Sequence, residues 1–168
     1  MYTGRIVAIG CTKSGKLAAL YRVSSRSFPN RHAVLNGQTA AIIPKPGFEE
    51  DISKNPYIAY NCLRLAGNCA IATNGSHTDP IAEKITRGTP VRDALAQTLL
   101  GMDFEADSYS TPRIAAVVDR AARSAWLAIV RHDALMVQSF SLQPGQAIYV
   151  CTYEHNYLST QFGDSDFD

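Results

Sequence analysis

The stretch DPIAEKITRGTPVRDALAQTLLGM, residues 79–102, decides the fold, because here the chain changes from an alternating pattern to a helical one. An acid at the N-cap followed by proline, as in Asp79 and Pro80, is a typical helix start, and Gly88 is a typical end. A second start signal, Thr-Pro, follows directly. Beyond it, apolar side chains share one helical face at Val91, Leu95, Leu99 and Met102. The stretch therefore predicts two consecutive helices.

Runs typical of strands flank these helices on both sides. Before them, GRIVAIG and KLAALYRVSS predict a strand pair, HAVLNGQTAAII predicts a hairpin turning at Asn36 and Gly37, and YIAYNCLRLAG with CAIATNG predicts another pair. After them come RIAAVVD, SAWLAIVR, LMVQSFSL and AIYVCTY. Strands, then helices, then strands favour an α+β fold. Because many of the strands are apolar on both faces, we expect two stacked antiparallel sheets with helical cover.

Length and composition indicate a single soluble domain. The 168 residues are 46% hydrophobic and 18% charged, which is ordinary for a globular chain. We expect one domain over residues 1–158, followed by an acidic, disordered tail over residues 159–168. Sixteen Lys and Arg against 15 Asp and Glu leave no overall field that would attract nucleic acid.

Several other classes of protein are disfavoured by what the sequence lacks. No segment has the length of a membrane span, and the start of the chain does not resemble a secretory signal. The four cysteines lack paired spacing, which predicts reduced thiols and a cytoplasmic location. Neither the histidines nor the glycines form a metal-binding or phosphate-loop motif, so we expect no metal and no cofactor.

A cluster of arginines without nearby acids lies in YRVSSRSFPNR, residues 21–31. If this stretch is a strand, Arg22, Ser24 and Arg26 share one face. Guanidinium forks and a hydroxyl suit phosphate oxygens. Asn30 and Arg31 would then lie on the turn beyond the strand. A solvated strand face whose arginines reach acids elsewhere is the alternative, and the residues alone leave both open.

The polar loop TNGSHTDP, residues 73–80, joins a predicted strand to the first helix. Free N–H groups at a helix start favour anions, so Asn74, Ser76 and His77 are candidates for binding a phosphate or carboxamide. The alternative is a loop that caps its own helix through Asp79. A hydrolase triad is rejected, because near neighbours in one loop cannot converge through their side chains.

Two further segments carry tyrosines and acids. On a strand NPYIAYN would place Tyr57 and Asn61 on one face and Tyr60 on the other, although strand tyrosines more often serve packing. MDFEAD places Asp103, Glu105 and Asp107 directly after the second helix, where acids oppose its dipole. This placement hints at a function, and a solvated loop is the alternative.

Taken in order, YRVSSRSFPNR, NPYIAYN, TNGSHTDPIAEK, TPRIAA and YEHN resemble the archaeal-type inosine monophosphate (IMP) cyclohydrolase family over residues 1–157. The resemblance implies closure of 5-formamidoimidazole-4-carboxamide ribonucleotide (FAICAR) to IMP, the last step of purine synthesis. It also implies a fold similar to the N-terminal-nucleophile hydrolases, a four-layer αββα sandwich.

The resemblance further implies roles for individual residues. Arg31, Tyr60 and Glu105 become the catalytic set: Arg31 for the developing oxyanion, Tyr60 as proton donor or orienting group, and Glu105 for proton transfer or carboxamide positioning. The candidates for binding substrate are Arg22, Ser24, Arg26, Asn30, Asn61, Asn74, Ser76, His77, Thr111 and Arg113. The first three are assigned to the 5′-phosphate. No metal or cofactor is required, the partner is a small nucleotide, and a homo-oligomer is left open.

Three alternatives compete with this interpretation. An N-terminal-nucleophile amidohydrolase is disfavoured by Tyr2 and would need a cut before Thr3 or Cys11. A non-catalytic purine-nucleotide-binding protein is disfavoured by the presence of the whole catalytic set. Binding of single-stranded RNA is disfavoured by the balanced charge.

Overall fold

The computed structural model describes residues 2–168 of the chain. Its strands are β1 (Ile6–Cys11), β2 (Leu17–Arg22), β3 (Arg31–Asn36), β4 (Thr39–Pro44), β5 (Tyr60–Ala66), β6 (Cys69–Thr73), β7 (Arg113–Asp119), β8 (Ser124–Arg131), β9 (Ala134–Phe140), β10 (Gln146–Cys151) and β11 (Gly163–Asp164). Its helices are α1 (Asp51–Lys54), α2 (Thr78–Thr86) and α3 (Val91–Met102), and Pro56–Ile58 form a 3₁₀ turn.

The strands form two antiparallel sheets that stack face to face. One sheet has the order β11-β10-β1-β2, and the other has the order β3-β4-β5-β6-β7-β8-β9. Between them Val7 and Ile148 of the smaller sheet pack with Ile114 and Leu127 of the larger one, all essentially inaccessible to solvent. The predicted α+β class and the stacked antiparallel sheets are confirmed.

Helices α2 and α3 cover the outer face of the larger sheet. Their apolar residues Ile81 and Leu95 are fully buried and pack with Ile71 and Val117 of the sheet below. The predicted second helical layer is not found, since no helix within residues 2–168 covers the outer face of the smaller sheet. None of the helices in this range is long and apolar enough to cross a membrane.

The C-terminal segment lies on that outer face instead. A Cβ at Gly10 would lie only 2.5 Å from the ring of Phe167, and β11 pairs with β10. The Phe162 ring stacks on His155 with centroids 4.2 Å apart. This segment coincides with the predicted acidic tail over residues 159–168, and Phe162 and Phe167 give it apolar contacts with the sheet and with His155.

Two predicted strand segments prove to be irregular. Strand β2 ends at Arg22, so the predicted continuation through Arg26 is wrong; beyond it the Ser25 hydroxyl accepts a hydrogen bond from the Phe28 N–H at 3.0 Å. Local side-chain bonds of this kind replace the sheet ladder. Likewise Tyr57 lies in the 3₁₀ turn and not on β5, and its N–H donates to the Asn55 side chain at 2.8 Å.

The start of α2 and one hairpin also differ from prediction. Helix α2 begins at Thr78, and Asp79 is not its cap, because the Asp79 carboxylate pairs with Arg64 and Asn61 on β5. In the β3–β4 hairpin Asn36 pairs across to Thr39. The tight turn is therefore Gly37 and Gln38, where Gly37 takes the positive φ of 59° that favours glycine.

Candidate active site

One cavity of about 310 Å³ opens where β2 and β3 approach the loop after α3. Its size falls within the roughly 300–1,000 Å³ typical of small-molecule sites. The lining comes from distant parts of the chain and consists of Tyr2, Arg5, Ser24, Ser25, Arg26, Ser27, Phe28, Arg31, Asn55, Tyr57, Ile58, Glu105, Asp107, Ser108, Tyr109 and Tyr153.

A buried ion pair lies at the bottom of this cavity. The Arg5 guanidinium donates through Nη1 to Glu105 Oε1 at 3.2 Å and through Nη2 to Oε2 at 3.0 Å. Glu105 is 1% exposed and Arg5 is 9% exposed, so both charges are nearly removed from bulk water. The Nη1 group also donates to the Asn74 backbone carbonyl at 3.3 Å. This fork fixes both carboxylate oxygens in one orientation.

Burial gives Glu105 the properties of a proton-transfer group. Desolvation raises the pKa of Glu105 above that of an ordinary glutamate, and the neighbouring Arg5 and Arg113 guanidinium groups oppose that rise. A carboxyl whose pKa lies above the usual range can exchange a proton closer to neutral pH. Among the predicted catalytic residues, Glu105 is therefore the best suited to acid–base chemistry.

Arg31 and Tyr60 lie at the starts of β3 and β5, two strands of the larger sheet that are separated by β4. Arg31 begins β3 and is held by donation from Nε to the Phe28 carbonyl at 3.1 Å and from Nη1 to the Ile58 carbonyl at 3.3 Å. It lines the cavity and is only 9% exposed. These backbone contacts aim the guanidinium without neutralising it.

Tyr60 is buried near Arg5 and Arg31, is not among the residues that line the cavity, and shares a hydrogen bond with a second tyrosine. Its hydroxyl lies 2.5 Å from the Tyr21 hydroxyl. Burial raises the pKa of Tyr60, and Arg5 and Arg31 are near enough to oppose the rise. Tyr60 therefore keeps its proton at neutral pH and can act as a donor. We call Arg5, Arg31, Tyr60 and Glu105 the floor cluster.

The opposite side of the cavity is polar, and Arg26 and Ser27 are exposed there while Ser24 and Ser25 are half-buried. Ser24, Ser25, Arg26 and Ser27, which we call the rim segment, line it from the irregular chain between β2 and β3. The Arg26 guanidinium lies 3.9 Å from the centroid of the Tyr2 ring, a cation–π contact. No acid bonds to Arg26 among the described residues.

An aromatic wall connects the rim segment to the loop after α3. Tyr2 and Tyr153 stack with centroids 5.6 Å apart, and Tyr109 meets Tyr153 edge-on at 6.4 Å. Tyr109 is 70% exposed. Flat rings at a polar cavity provide a surface on which a heterocyclic base can stack.

Behind the floor cluster, buried polar groups crowd around Gly75. A Cβ there would lie 3.0 Å from Arg113 Nη1, 3.2 Å from His77 Nδ1 and 3.4 Å from Glu105 Oε1. His77 is fully buried, which lowers its pKa to about 3 and keeps the ring neutral. Its Nε2 lies 2.9 Å from the Ile114 carbonyl and must donate to it, so Nδ1 is an acceptor without a partner among the described residues.

The structure brings some of the predicted binding residues together and separates others. Ser24 and Arg26 line the cavity, and His77 and Arg113 lie behind the floor cluster. Asn74 braces that region, accepting from the Ile114 N–H and donating to the Pro112 carbonyl. The predicted binding residues away from the cavity wall are Arg22, Asn30, Asn61, Ser76 and Thr111.

Each of these five has another environment. Arg22 is exposed at the end of β2, and Ser76 is exposed on its loop. Asn61 donates to Asp79 at 2.9 Å on the helix-covered face, and the Asn30 carbonyl accepts from Lys45 at 2.9 Å. Thr111 donates to Asp107 at 2.6 Å and orders the loop that carries Glu105.

Sequence reasoning missed Arg5 and the aromatic wall. Arg5 directly precedes the apolar strand β1, and a lone charge beside a buried strand is the signal that could have found it. Tyr2 and Tyr109 carry no comparable signal, and Tyr153 is visible only as the first residue of YEHN, because the three come from separate segments that only the fold brings together.

None of the four cysteines lines the cavity, and all four are buried. Burial raises the pKa of Cys62, Cys69 and Cys151 to about 11, which disfavours the nucleophilic thiolate. Within residues 2–168 no group of three or more His, Cys, Asp or Glu could hold a metal ion.

Comparisons with known proteins all indicate the same family. Residues 2–167 match the family described as IMP cyclohydrolase-like protein. The protein named IMP cyclohydrolase from Methanocella arvoryzae is 54% identical over 160 residues, 95% of this chain and 77% of that protein. The protein of the same name from Methanosphaera stadtmanae is 51% identical over 93% of this chain and 75% of that protein. The one from Haloquadratum walsbyi is 44% identical over 95% of this chain and 75% of that protein.

Proposed function

The chain belongs to the IMP cyclohydrolase-like family, and on that premise we propose that it closes the formamido-imidazole-carboxamide ribonucleotide FAICAR to IMP with loss of water. The observation that carries the proposal is the floor cluster: an aimed cation and a buried carboxylate line one cavity, and a buried, protonated phenol lies close to both. These are the groups that this ring closure needs.

The reaction is intramolecular. The carboxamide nitrogen attacks the formyl carbon, a C–N bond forms, and the carbonyl electrons move onto the formyl oxygen. The attacking nitrogen then loses a proton and the oxygen gains one, which makes it a hydroxyl. This hydroxyl takes up a second proton and leaves as water, while a ring nitrogen gives up its remaining proton and the C=N bond forms. Holding the two groups in contact supplies much of the rate enhancement.

Within the floor cluster the three predicted catalytic residues would divide this work. Arg31 stabilises the oxygen as it gains charge, since its guanidinium is held only by carbonyls and keeps its positive charge. Tyr60, kept protonated by burial, donates to that oxygen or orients it. Glu105 accepts the proton from nitrogen and delivers one to the leaving hydroxyl.

The rim segment would bind the 5′-phosphate. Ser24, Ser25 and Ser27 offer hydroxyl donors beside Arg26, whose guanidinium suits phosphate oxygens. Arg22, which the sequence analysis grouped with them, lies outside the cavity and is left out of this proposal. The rings of Tyr2, Tyr109 and Tyr153 would contact the base and ribose.

The fold is also compatible with the finer class that the resemblance implies. Two stacked antiparallel sheets with helices on the larger one form three of the four layers of an N-terminal-nucleophile hydrolase sandwich. We propose that the fold is of this type. The amidohydrolase chemistry of that class is not favoured, because Cys11 is 2% exposed and lies away from the cavity.

The direct test is to mix purified protein with FAICAR and follow the ultraviolet change as the purine ring forms. We expect conversion to IMP without added metal, folate or ATP. Glu105→Gln and Tyr60→Phe should each lower turnover while circular dichroism remains that of the unaltered chain. Binding of IMP without any conversion would favour the purine-nucleotide-binding alternative, and near-normal turnover in both variants would refute the assignment of the floor cluster.

A further inference from the structure

Arg5 is buried at the bottom of the cavity and belongs to none of the residues that the resemblance indicates. It directly precedes β1, on the smaller sheet, whereas Arg31 and Tyr60 lie on the larger sheet and Glu105 lies on the loop after α3. Its guanidinium therefore joins the two halves of the molecule at the site.

We propose that Arg5 is a positioning residue for the cyclisation: its fork fixes the orientation of the Glu105 carboxylate and maintains its charge for proton transfer. The inference rests on the proposed function of the site. It assigns to Arg5 a role exerted through Glu105 and not through the reacting atoms.

The geometry supports orientation first. Two parallel N–H···O bonds, at 3.2 and 3.0 Å, prevent rotation of the Glu105 carboxylate. The bond from Arg5 Nη1 to the Asn74 backbone carbonyl holds the guanidinium in place. The Asn74 side chain is itself fixed, because its amide donates to the Pro112 carbonyl and its oxygen accepts from the Ile114 N–H. A lysine ammonium could supply the charge but not the planar fork.

The charges around Glu105 support the second part of the role. The cations facing it are Arg5 on the smaller sheet and Arg113 at the start of β7, and Arg113 makes no bidentate bond to it. Asp107, on the same loop as Glu105, raises the pKa of Glu105. The other titratable neighbours, His77 and Tyr60, are uncharged at neutral pH. Loss of Arg5 therefore removes the strongest influence that favours the ionised carboxylate.

A double-mutant cycle measured by steady-state kinetics tests whether Arg5 affects turnover through Glu105. We expect Arg5→Gln to lower kcat by about 100-fold, the lower end of what positioned proton transfer contributes, with a smaller change in KM. The acid limb of its pH–rate profile should move to higher pH, because the carboxyl that must be ionised is then harder to ionise. Arg5→Lys should lower kcat less and leave that limb in place.

The decisive variant is Arg5→Gln combined with Glu105→Gln, which removes both charges of the buried ion pair. If Arg5 acts through Glu105, this double variant should turn over no more slowly than Glu105→Gln alone. Losses that multiply would overturn the proposal. Arg120→Gln, which removes an exposed arginine bonded to Asn68 on a distant turn, is the matched control and should change neither kcat nor the pH profile.

A measurement without substrate separates this inference from the proposed function. Nuclear magnetic resonance of ¹³C-carboxyl-labelled protein, with Glu105→Gln for assignment, gives the Glu105 pKa directly. We expect Arg5→Gln to raise it by about one pKa unit or more. An unchanged pKa would overturn the inference even in an active enzyme, whereas a raised pKa in a protein that fails to convert FAICAR would refute only the proposed function.

Discussion

The floor cluster and the rim segment share one cavity and differ in almost every physical respect. Arg5, Arg31 and Glu105 are less than 10% exposed, and each is held by fixed partners. Arg26 is exposed, lies on irregular chain and makes a single aromatic contact. The difference fits the roles proposed for them, because catalysis requires preorganised, desolvated groups, whereas an exposed and adaptable segment is sufficient to bind a charged phosphate.

The largest difference should appear in turnover. Glu105→Gln removes the only carboxylate of the floor cluster, and we expect kcat to fall by about 10²–10⁴-fold with little change in KM. Steady-state kinetics on FAICAR measure both constants. A rise in KM at normal kcat would show that Glu105 belongs with the binding groups, and the contrast between floor and rim would fail.

Stability should separate the two regions nearly as sharply. Arg5→Ala leaves the Glu105 carboxylate buried and unpaired, which costs about 3–5 kcal/mol in the free energy of unfolding. Arg26→Ala should change that free energy by less than about 0.5 kcal/mol, as at most exposed positions. Urea denaturation of the two variants makes the comparison. Equal midpoints would indicate that Glu105 is protonated in the folded protein and needs no cation.

Binding should depend on the rim. Arg26→Ala removes a charged hydrogen-bond donor worth about 1.5–3 kcal/mol, so KM should rise by about 10- to 100-fold while kcat stays nearly constant. Arg22→Ala is the matched control, since Arg22 is four residues away and is exposed outside the cavity. A similar rise in KM for both variants would point to a general field effect and not to a phosphate site.

The smallest effect should come from salt. At ionic strengths near 1 M the screening length is about 3 Å, so an exposed Arg26–phosphate contact weakens while the buried Arg5–Glu105 pair does not. We expect KM to rise several-fold between low and high salt, with kcat unchanged. If kcat fell in parallel, solvent would have to reach the floor cluster.

Much of the fold could be predicted from local patterns. The apolar spacing of residues 91–102 predicted α3, and β7 to β10 were recognised from apolar runs between short turns. Predictions failed where a local side-chain bond competed with the regular pattern. The Ser25 hydroxyl binds the Phe28 N–H just after β2, and Asn55 caps the 3₁₀ turn that carries Tyr57. Alternation rules do not include such bonds.

The site shows the same division. The sequence by itself determined the composition of the rim segment, because serines and arginines are visible without coordinates, and Glu105 was indicated through the family resemblance. Only the tertiary structure decided that Arg22 lies outside the cavity and that Arg5 pairs with Glu105 across 100 residues. The physical reason is that local patterns report backbone preference and burial. Which distant charges meet depends instead on how the two sheets are ordered and stacked.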